Sequence, residues 1–389
     1  MTDQHTVIIV HMGEDVPSDE GYRPLRYGRL ALHLRGLGYR VVRISPSFSH
    51  FRREQRNPGQ FESEEGTHVV VQTGGFEATI GVDRAKFIGQ FMSGTRSYLR
   101  SASLDDSLVI VGVPPTGMIA NVRATVGRDT PIIADVRDLW PDAMAVGRAS
   151  WLEQPFRIIG RATSRELLLA DEVVAVTEGM AAWAPKSTGA TTIPIGLPQV
   201  KASDASPSDG LRACFLSNHT HGFDFDTVLA SWQDFARQQS ADVRLDFIGA
   251  EPQTPVARAL VDEDESIGAL GRILPEDLPN TLATYDLGLV PSLPEWSYSV
   301  GNKVFDYLAS GLVVLHSMQD GVSDEFEANG LGSFVPLTQG DWTKAFEAAA
   351  SAITSSRPER AERIERAEAL YGIEAVCSRF EETISRCLG

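Results

Sequence analysis

Several things are scarce or missing in this chain of 389 residues, and each absence excludes something. Only three cysteines are present, Cys214, Cys377 and Cys387, at spacings that suit neither a disulfide framework nor a zinc site, so thiols in a reducing compartment are expected. No apolar run approaches the roughly 18 residues that a membrane span needs. The first residues run into a short apolar segment without a basic stretch or a cleavage site, so export is not expected and the cytoplasm is the anticipated address. There is no Gly-x-Ser-x-Gly, no Cys–His pairing and no His-Glu-x-x-His, which disfavours a hydrolytic triad or a zinc protease. Positive charge is short too: the formal net charge is −17, which argues against nucleic-acid binding because phosphate backbones would be repelled.

The charge is unevenly spread. Residues 21–60 hold nine arginines, among them Arg26, Arg43, Arg52, Arg53 and Arg56, against the single acid Glu54. Two readings stand side by side: solvated helix faces, or a local site for phosphate or anionic lipid headgroups.

With 42% hydrophobic and 22% charged residues, the chain has the composition of a globular protein of two or three domains. Strand-like runs at Thr6–His11, Arg40–Ile44, His68–Gln72, Leu108–Val111, Pro131–Asp135 and Glu172–Val176 alternate with helix-length stretches. Residues 199–210 are small, polar and aperiodic and read as a linker. The alternation restarts with Ala213–Ser217, helix Asp224–Gln238, Arg244–Ile248, Leu287–Val290, helix Asn302–Ser310 and Leu312–His316. Two doubly wound α/β domains are expected, 1–198 and 211–370, with a helix at 371–389 packing back toward the first. Such sheets bind ligands beyond the carboxyl ends of their strands, so the expected site is a cleft between the domains.

Two strings sit at such strand ends. The first is Pro291-Ser-Leu-Pro-Glu-Trp-Ser-Tyr-Ser-Val-Gly-Asn-Lys-Val-Phe-Asp-Tyr-Leu-Ala-Ser-Gly311, in which a strand gives way to a loop and a helix opens near Gly301. Free N–H groups at the helix start, with Lys303 just inside, suit a diphosphate, and Asp306, about one turn on, suits ribose hydroxyls. An ordinary capped helix with a solvated acid is the plainer alternative. The second string is Ile132-Ile-Ala-Asp-Val-Arg-Asp-Leu-Trp-Pro-Asp-Ala143, which gathers Asp135, Asp138 and Asp142 around Arg137. It can position an acceptor hydroxyl, hold a proton or bind a cation, or else be a buried Asp–Arg pair bracing a loop. A third segment, from Trp151 to Arg161, mixes aromatics, branched residues and arginines. It reads as a contact for a membrane surface or as a core-facing amphipathic helix.

The first string closely resembles the donor-binding element of retaining glycosyltransferases of family 4, commonly Pro-x-Lys-x-x-Glu-Tyr-Leu-Ala-x-Gly-x-Pro-Val. The resemblance implies donor-phosphate and sugar contacts at Ser299, Val300, Gly301, Asn302 and Lys303, and a ribose contact at Asp306. It departs from the family in two places: Asp306 is one methylene shorter than the usual Glu, and the earlier acid of the Glu-x7-Glu pair falls on Tyr298. Asp-Val-Arg-Asp-Leu-Trp-Pro-Asp resembles the Asp-Ile-Arg-Asp-Leu-Trp-Pro signature of a branch that assembles bacterial surface polysaccharides such as O-antigen and capsule. Early motifs of that branch are similar to Arg23-Pro24 with Arg26-Tyr27, to Ser47-Phe48-Ser49-His50-Phe51-Arg52-Arg53 and to Gly74-Gly75-Phe76.

What the resemblance implies is a GT-B fold of two facing Rossmann-like domains, and transfer from a nucleotide sugar, UDP being common in the family, to a glycan or lipid-linked acceptor with retention. No cofactor and no metal are expected, since the nucleotide sugar is a substrate. Asp138, Arg137 and Lys303 become the candidate catalytic residues, and His50, Arg53, Asp135 and Asp142 fall on the acceptor side. Gly13 lies in the loop expected nearest the transferring sugar, Asn218 and His221 stand where the family presents a basic pair to the pyrophosphate, and Arg272 lies in a loop that frames the base. Glu178 is expected to brace the site. Competing readings are a nucleotide-sugar epimerase of the same shape and a non-catalytic partner that only binds the sugar nucleotide. Peripheral contact with the inner face of the cell membrane is a further expectation.

Overall fold

The computed structural model describes residues 5–50, 52–78, 80–139, 150–198, 210–217, 222–239, 242–249, 255–296, 300–356 and 359–389. The chain divides into two compact units, one of Met1–Pro194 with Val376–Gly389 and one of Ile195–Ala375. The linker expected at 199–210 lies, except for Gly210, outside the described residues.

In the first unit the elements run β1 (Thr6–Val10), α1 (Arg26–Gly36), β2 (Arg40–Pro46), the short pair β3 (Phe48–Ser49) and β4 (Glu54–Gln55), β5 (Gly59–Ser63), β6 (Gly66–Val71) and α2 (Val82–Ser101). They continue with β7 (Ser107–Val113), α3 (Met118–Val126), β8 (Ile132–Val136), α4 (Ser150–Glu166), β9 (Glu172–Ala175), α5 (Glu178–Trp183) and β10 (Thr191–Thr192). The sheet order is β10-β9-β8-β7-β1-β2-β6-β5. Every pairing in it is parallel except the β5–β6 hairpin at one edge. The central strands β7 and β8 are buried at every residue, as expected of parallel strands covered on both faces.

The second unit holds β11 (Arg212–Ser217), α6 (Phe225–Ala236), β12 (Arg244–Gly249), α7 (Pro255–Glu263), β13 (Ile267–Gly271), α8 (Leu278–Leu282) and β14 (Leu287–Val290). It goes on through α9 (Asn302–Ala309), β15 (Val313–His316), α10 (Val322–Ala328), β16 (Gly332–Phe334), α11 (Gln339–Ser356) and α12 (Glu359–Tyr371). The last helix, α13 (Ile373–Leu388), counts with the first unit from Val376 onward. The sheet order is β13-β12-β11-β14-β15-β16, all parallel. Helix α6 begins at the cap that its sequence announces, with the Asp224 carboxylate accepting the Thr227 N–H at 3.1 Å. Its buried face, Phe225, Val228, Leu229, Trp232 and Phe235, enters a core closed by Trp342 and Phe346 of α11.

Helix α9 is seated by one tight fit. A Cβ on Gly288 would stand 2.3 Å from the Tyr307 ring, so the strand must present a glycine where that ring lies down. Gly288→Ala is expected to destabilise the second unit by about 1–3 kcal/mol, the usual cost of overpacking. Thermal unfolding should show a lowered transition, and an unchanged one would mean that the helix shifts freely.

Candidate functional site

Each sheet has one place where neighbouring strands send their chains in opposite directions. In the second unit it lies between β11 and β14, which pair only at Ala213–Leu287 and Cys214–Gly288 before diverging. Beyond that point the Leu216 N–H, lacking a strand partner on this side, donates to the Tyr307 hydroxyl at 2.6 Å. The loops leaving the two strands are then stitched together. Phe223 bridges Ser292, the Asp224 N–H donates to Pro291 O at 2.9 Å, and the Leu293 N–H donates to Gly222 O at 2.9 Å. Gly222, at φ +89°, lies under the Trp296 ring, where a Cβ would come within 3.1 Å. Helix α9 therefore starts at a fixed place on a carboxyl edge, the position at which open α/β sheets take ligands.

Its first turn carries the electrostatics. Gly301 is extended at the N-cap and has no side chain of its own to cap the helix amides. Lys303 follows, with its Nζ 3.8 Å from the centre of the Phe223 ring and 4.3 Å from that of Phe215. The buried Nζ has no hydrogen-bond partner among the described residues. Burial lowers the Lys303 pKa to about 7. Two ring faces offset part of the cost of a buried ammonium, but three unmade hydrogen bonds are costly without an anion to receive them. An anion at the helix start, within reach of the α9 amides, would complete the arrangement.

The neighbours differ in character. Val300 is buried, Asn302 exposed, Gly301 half-buried, and Asp306 only 6% exposed and already engaged. Arg272 is exposed and follows the edge strand β13, away from α9 in the strand order. Asn218, His221, Tyr298 and Ser299 lie outside the described residues. Phe215 and Phe223 were not anticipated as site residues. Their only signal is that they bracket a loop whose polar members drew attention instead.

In the first unit the corresponding point lies between β1 and β7. Glu14, 4% exposed in the loop after β1, accepts the Tyr27 N–H of α1 at 3.0 and 3.3 Å and pairs with Arg137 at 2.8 Å. Arg43 approaches it at 3.6 Å, and the Arg137 guanidinium lies 4.8 Å over the Tyr27 ring. Gly13 is half-buried beside it. His11, buried next to Arg43, is kept neutral by burial and by the Arg43 and Arg137 charges.

The expected cluster of acids around Arg137 is thereby resolved differently. Asp135 is fully buried and grips Arg26 instead, with Nε to Oδ2 at 3.0 Å and Nη2 to Oδ1 at 2.9 Å. With both oxygens engaged by Arg26, the residue braces the first unit. Asp138 is exposed, yet the surrounding protein raises its pKa by desolvation, against the Leu139 N–H and the Arg137 and Arg84 charges. Asp142 lies outside the described residues.

Much of the charge of the basic segment is used internally. Arg52 pairs with Asp15 at 2.8 Å, Arg56 with Asp19 at 2.6 Å, and Arg43 with Glu65. Arg53 donates to the carbonyls of Phe76 and Glu77 at 2.8 and 2.9 Å, holding the loop before α2. His50 stacks on Phe76 with ring centres 6.4 Å apart, and burial, helped by Arg84 and Arg53, pushes its pKa down to about 4. Glu178 is exposed in the first turn of α5, where Thr177 rather than Glu178 caps the helix. Among the described residues, no three His, Cys, Asp or Glu side chains gather as a metal site.

The two Rossmann-like units with parallel sheets, together with the C-terminal helix, make this a protein of the GT-B fold. The chain resembles sucrose-phosphate synthase from Thermosynechococcus elongatus with a TM-score of 0.72 at 16% identity, over 98% of this chain and 99% of that one. It resembles a glycosyltransferase from Rickettsia africae with a TM-score of 0.64 at 12% identity, over 99% of both chains. The glycotransferase of kitacinnamycin gives 0.56 at 14% identity, again over 99% of both. At such identities the likeness is one of fold. Residues 212–355 match the family described as Glycosyl transferases group 1, and with the fold this supports a glycosyltransferase. No match was found among curated proteins.

Proposed function

We propose that the chain is a retaining, metal-independent glycosyltransferase of family 4. It takes a hexose or amino-sugar from a nucleotide sugar, UDP being the expected nucleotide, and passes it to a glycan or lipid-linked acceptor in surface-polysaccharide assembly. The observation that carries the reading is the Lys303 ammonium, buried at the start of α9 with no hydrogen-bond partner among the described residues. A diphosphate there receives the Lys303 charge and the first amides of α9. As the glycosidic bond breaks, negative charge grows on the leaving phosphate, and groups already aimed at it stabilise that charge without reorganising. The acceptor attacks from the same face as the leaving group, so no protein nucleophile is required. In the first unit Asp138 is assigned to the acceptor hydroxyl: it is exposed and its pKa is raised, as suits a group that exchanges a proton. Arg137, held by Glu14, keeps positive charge beside it. The family and branch rest on the sequence resemblance. A cytoplasmic enzyme, working at the inner face of the membrane, is the corresponding location.

A thermal-shift screen of nucleotides and nucleotide sugars, followed by turnover with and without acceptors, tests this reading. Saturation at about 100 times Kd should stabilise the protein by about 2.7 kcal/mol. Asp138→Asn is expected to lower turnover by about a hundredfold while leaving nucleotide affinity unchanged. Wild-type turnover by that variant removes the assignment. Conversion of the sugar nucleotide without acceptor would identify an epimerase, and binding with no turnover across the panel would identify a binding partner only.

A further inference from the structure

The start of α9 holds a nucleophile as well as a charge. Lys303 is partly exposed along its stem, while its Nζ is buried without a hydrogen-bond partner among the described residues. The rings of Phe223 and Phe215 lie 3.8 and 4.3 Å from that nitrogen. Burial alone lowers its pKa to about 7, with no charged neighbour contributing. Near neutral pH much of the amine is therefore unprotonated, whereas an ordinary lysine, at about 10.4, is so in only about one molecule in a thousand. A lysine desolvated by apolar walls is the form that attacks carbonyl carbon.

The same place suits a phosphate. The Val304 N–H closes on Gly301 O at 3.1 Å, and the amides ahead of it have no acceptor within the helix. Gly301 is half-buried and Asn302 exposed, so this helix start lies at the surface. An electrophile that carries a phosphate would be held within a turn of the Lys303 amine, and one without a phosphate would not. The other lysines of the chain are Lys86, Lys186, Lys201 and Lys344. Lys86, Lys186 and Lys344 are exposed, and Lys86 faces Asp83 at 3.4 Å. None of these three combines a buried amine with an uncapped helix start.

We propose that Lys303 is a modification site for acyl phosphates, which pass their acyl group to Nζ while their phosphate rests on the first amides of α9. The Nζ lone pair attacks the acyl carbon and the N–C bond forms. The C–O bond to phosphate breaks, its electron pair leaves on the phosphate, and the surplus proton of the amine passes to solvent. Amides already placed at that phosphate stabilise its growing charge without reorganising. The product is a neutral amide between the two rings. The cation that would meet a nucleotide's phosphates is then gone, so acylation closes the donor site. The inference rests on the anion site of the proposed function but needs no sugar transfer, so the two can fail separately.

The test is incubation of the full chain with acetyl phosphate across a range of pH, with acetylation of each lysine followed by peptide mass spectrometry. Near neutral pH, Lys303 is expected to react at least about tenfold faster than Lys86, Lys186, Lys201 or Lys344, from proximity and from its larger free-amine fraction. Its rate should level off above about pH 7 but below about pH 10, since bound phosphate draws the pKa back upward, while the other rates keep rising. Inorganic pyrophosphate at about 100 times its Kd should slow Lys303 about a hundredfold and leave the others unchanged. Acetic anhydride, which brings no phosphate, should lower the preference for Lys303 several-fold. Equal rates at all the lysines, no protection by pyrophosphate, or the same preference with acetic anhydride overturns the proposal. Selective, pyrophosphate-sensitive labelling of a chain that turns over no sugar nucleotide would uphold the site and overturn the transferase.

Discussion

Lys303→Met is expected to weaken nucleotide-sugar binding by about tenfold to a hundredfold and to lower turnover further, while leaving the protein at least as stable as before. Hydrogen bonds from a charged group are worth about 1.5–3 kcal/mol, which sets the binding loss. Removing one donor aimed at charge that develops in the transition state typically costs a factor of about 10² to 10³ in rate, which sets the turnover loss. Stability moves the other way because the free protein buries an ammonium that has ring faces but, among the described residues, no hydrogen-bond partner. A thioether between Phe215 and Phe223 keeps the packing and removes the desolvation.

The pH dependence follows from the same geometry. The Lys303 pKa is lowered from 10.5 to about 7 by burial, so between those values the unfolded chain binds more protons at this position than the folded one. Stability from this group therefore rises with pH across that window, and it is least below pH 7, where the charge is buried in full. Nucleotide affinity runs in the opposite sense, falling as pH rises above about 7 and the amine loses its proton. Calorimetric titration with UDP and denaturant unfolding from pH 6 upward should show both slopes in the wild type and neither in Lys303→Met. A variant that binds UDP as tightly as the wild type at pH 6 would sink the assignment of Lys303 to the phosphates.

Most of the fold was legible because strands buried on both faces read as unbroken apolar runs. Leu287–Val290 keeps its expected bounds, and the α6 cap at Asp224 is written in the local sequence. The edge strand β5 was missed because Gly59–Ser63 is largely exposed and has no apolar signal of its own. In the candidate site, the place and opening of α9 were readable, since a strand, a glycine-containing loop and a helix start are local features. Its aromatic lining was not: Phe215 and Phe223 precede Lys303 by eighty residues or more and meet it only through the β11–β14 juxtaposition. Partner choice among the buried charges was likewise illegible. Asp135 and Arg137 are two residues apart, yet each is claimed by a partner from far earlier in the chain, Arg26 for the acid and Glu14 for the base.

That exchange of partners yields the second large effect. Asp135→Ala is expected to destabilise the first unit by about 3–5 kcal/mol, because Arg26 would stay buried at 2% exposure without its counter-charge. The loss should reach beyond the pair. Arg26 also donates to Pro194 O and lies 4.6 Å over the Phe380 ring, so it ties the start of α1 to residues late in the chain. Replacing both partners, with Arg26→Met and Asp135→Leu, should recover much of the stability, since apolar pairs of similar volume often do as well as buried ion pairs. A double-mutant cycle on the melting transition separates a brace from a substrate contact. A brace gives strong coupling between the two positions and loses stability in the single variants. A substrate contact leaves the melting of Asp135→Ala unchanged and shows its loss only in acceptor KM, and that result would assign Asp135 to the acceptor side.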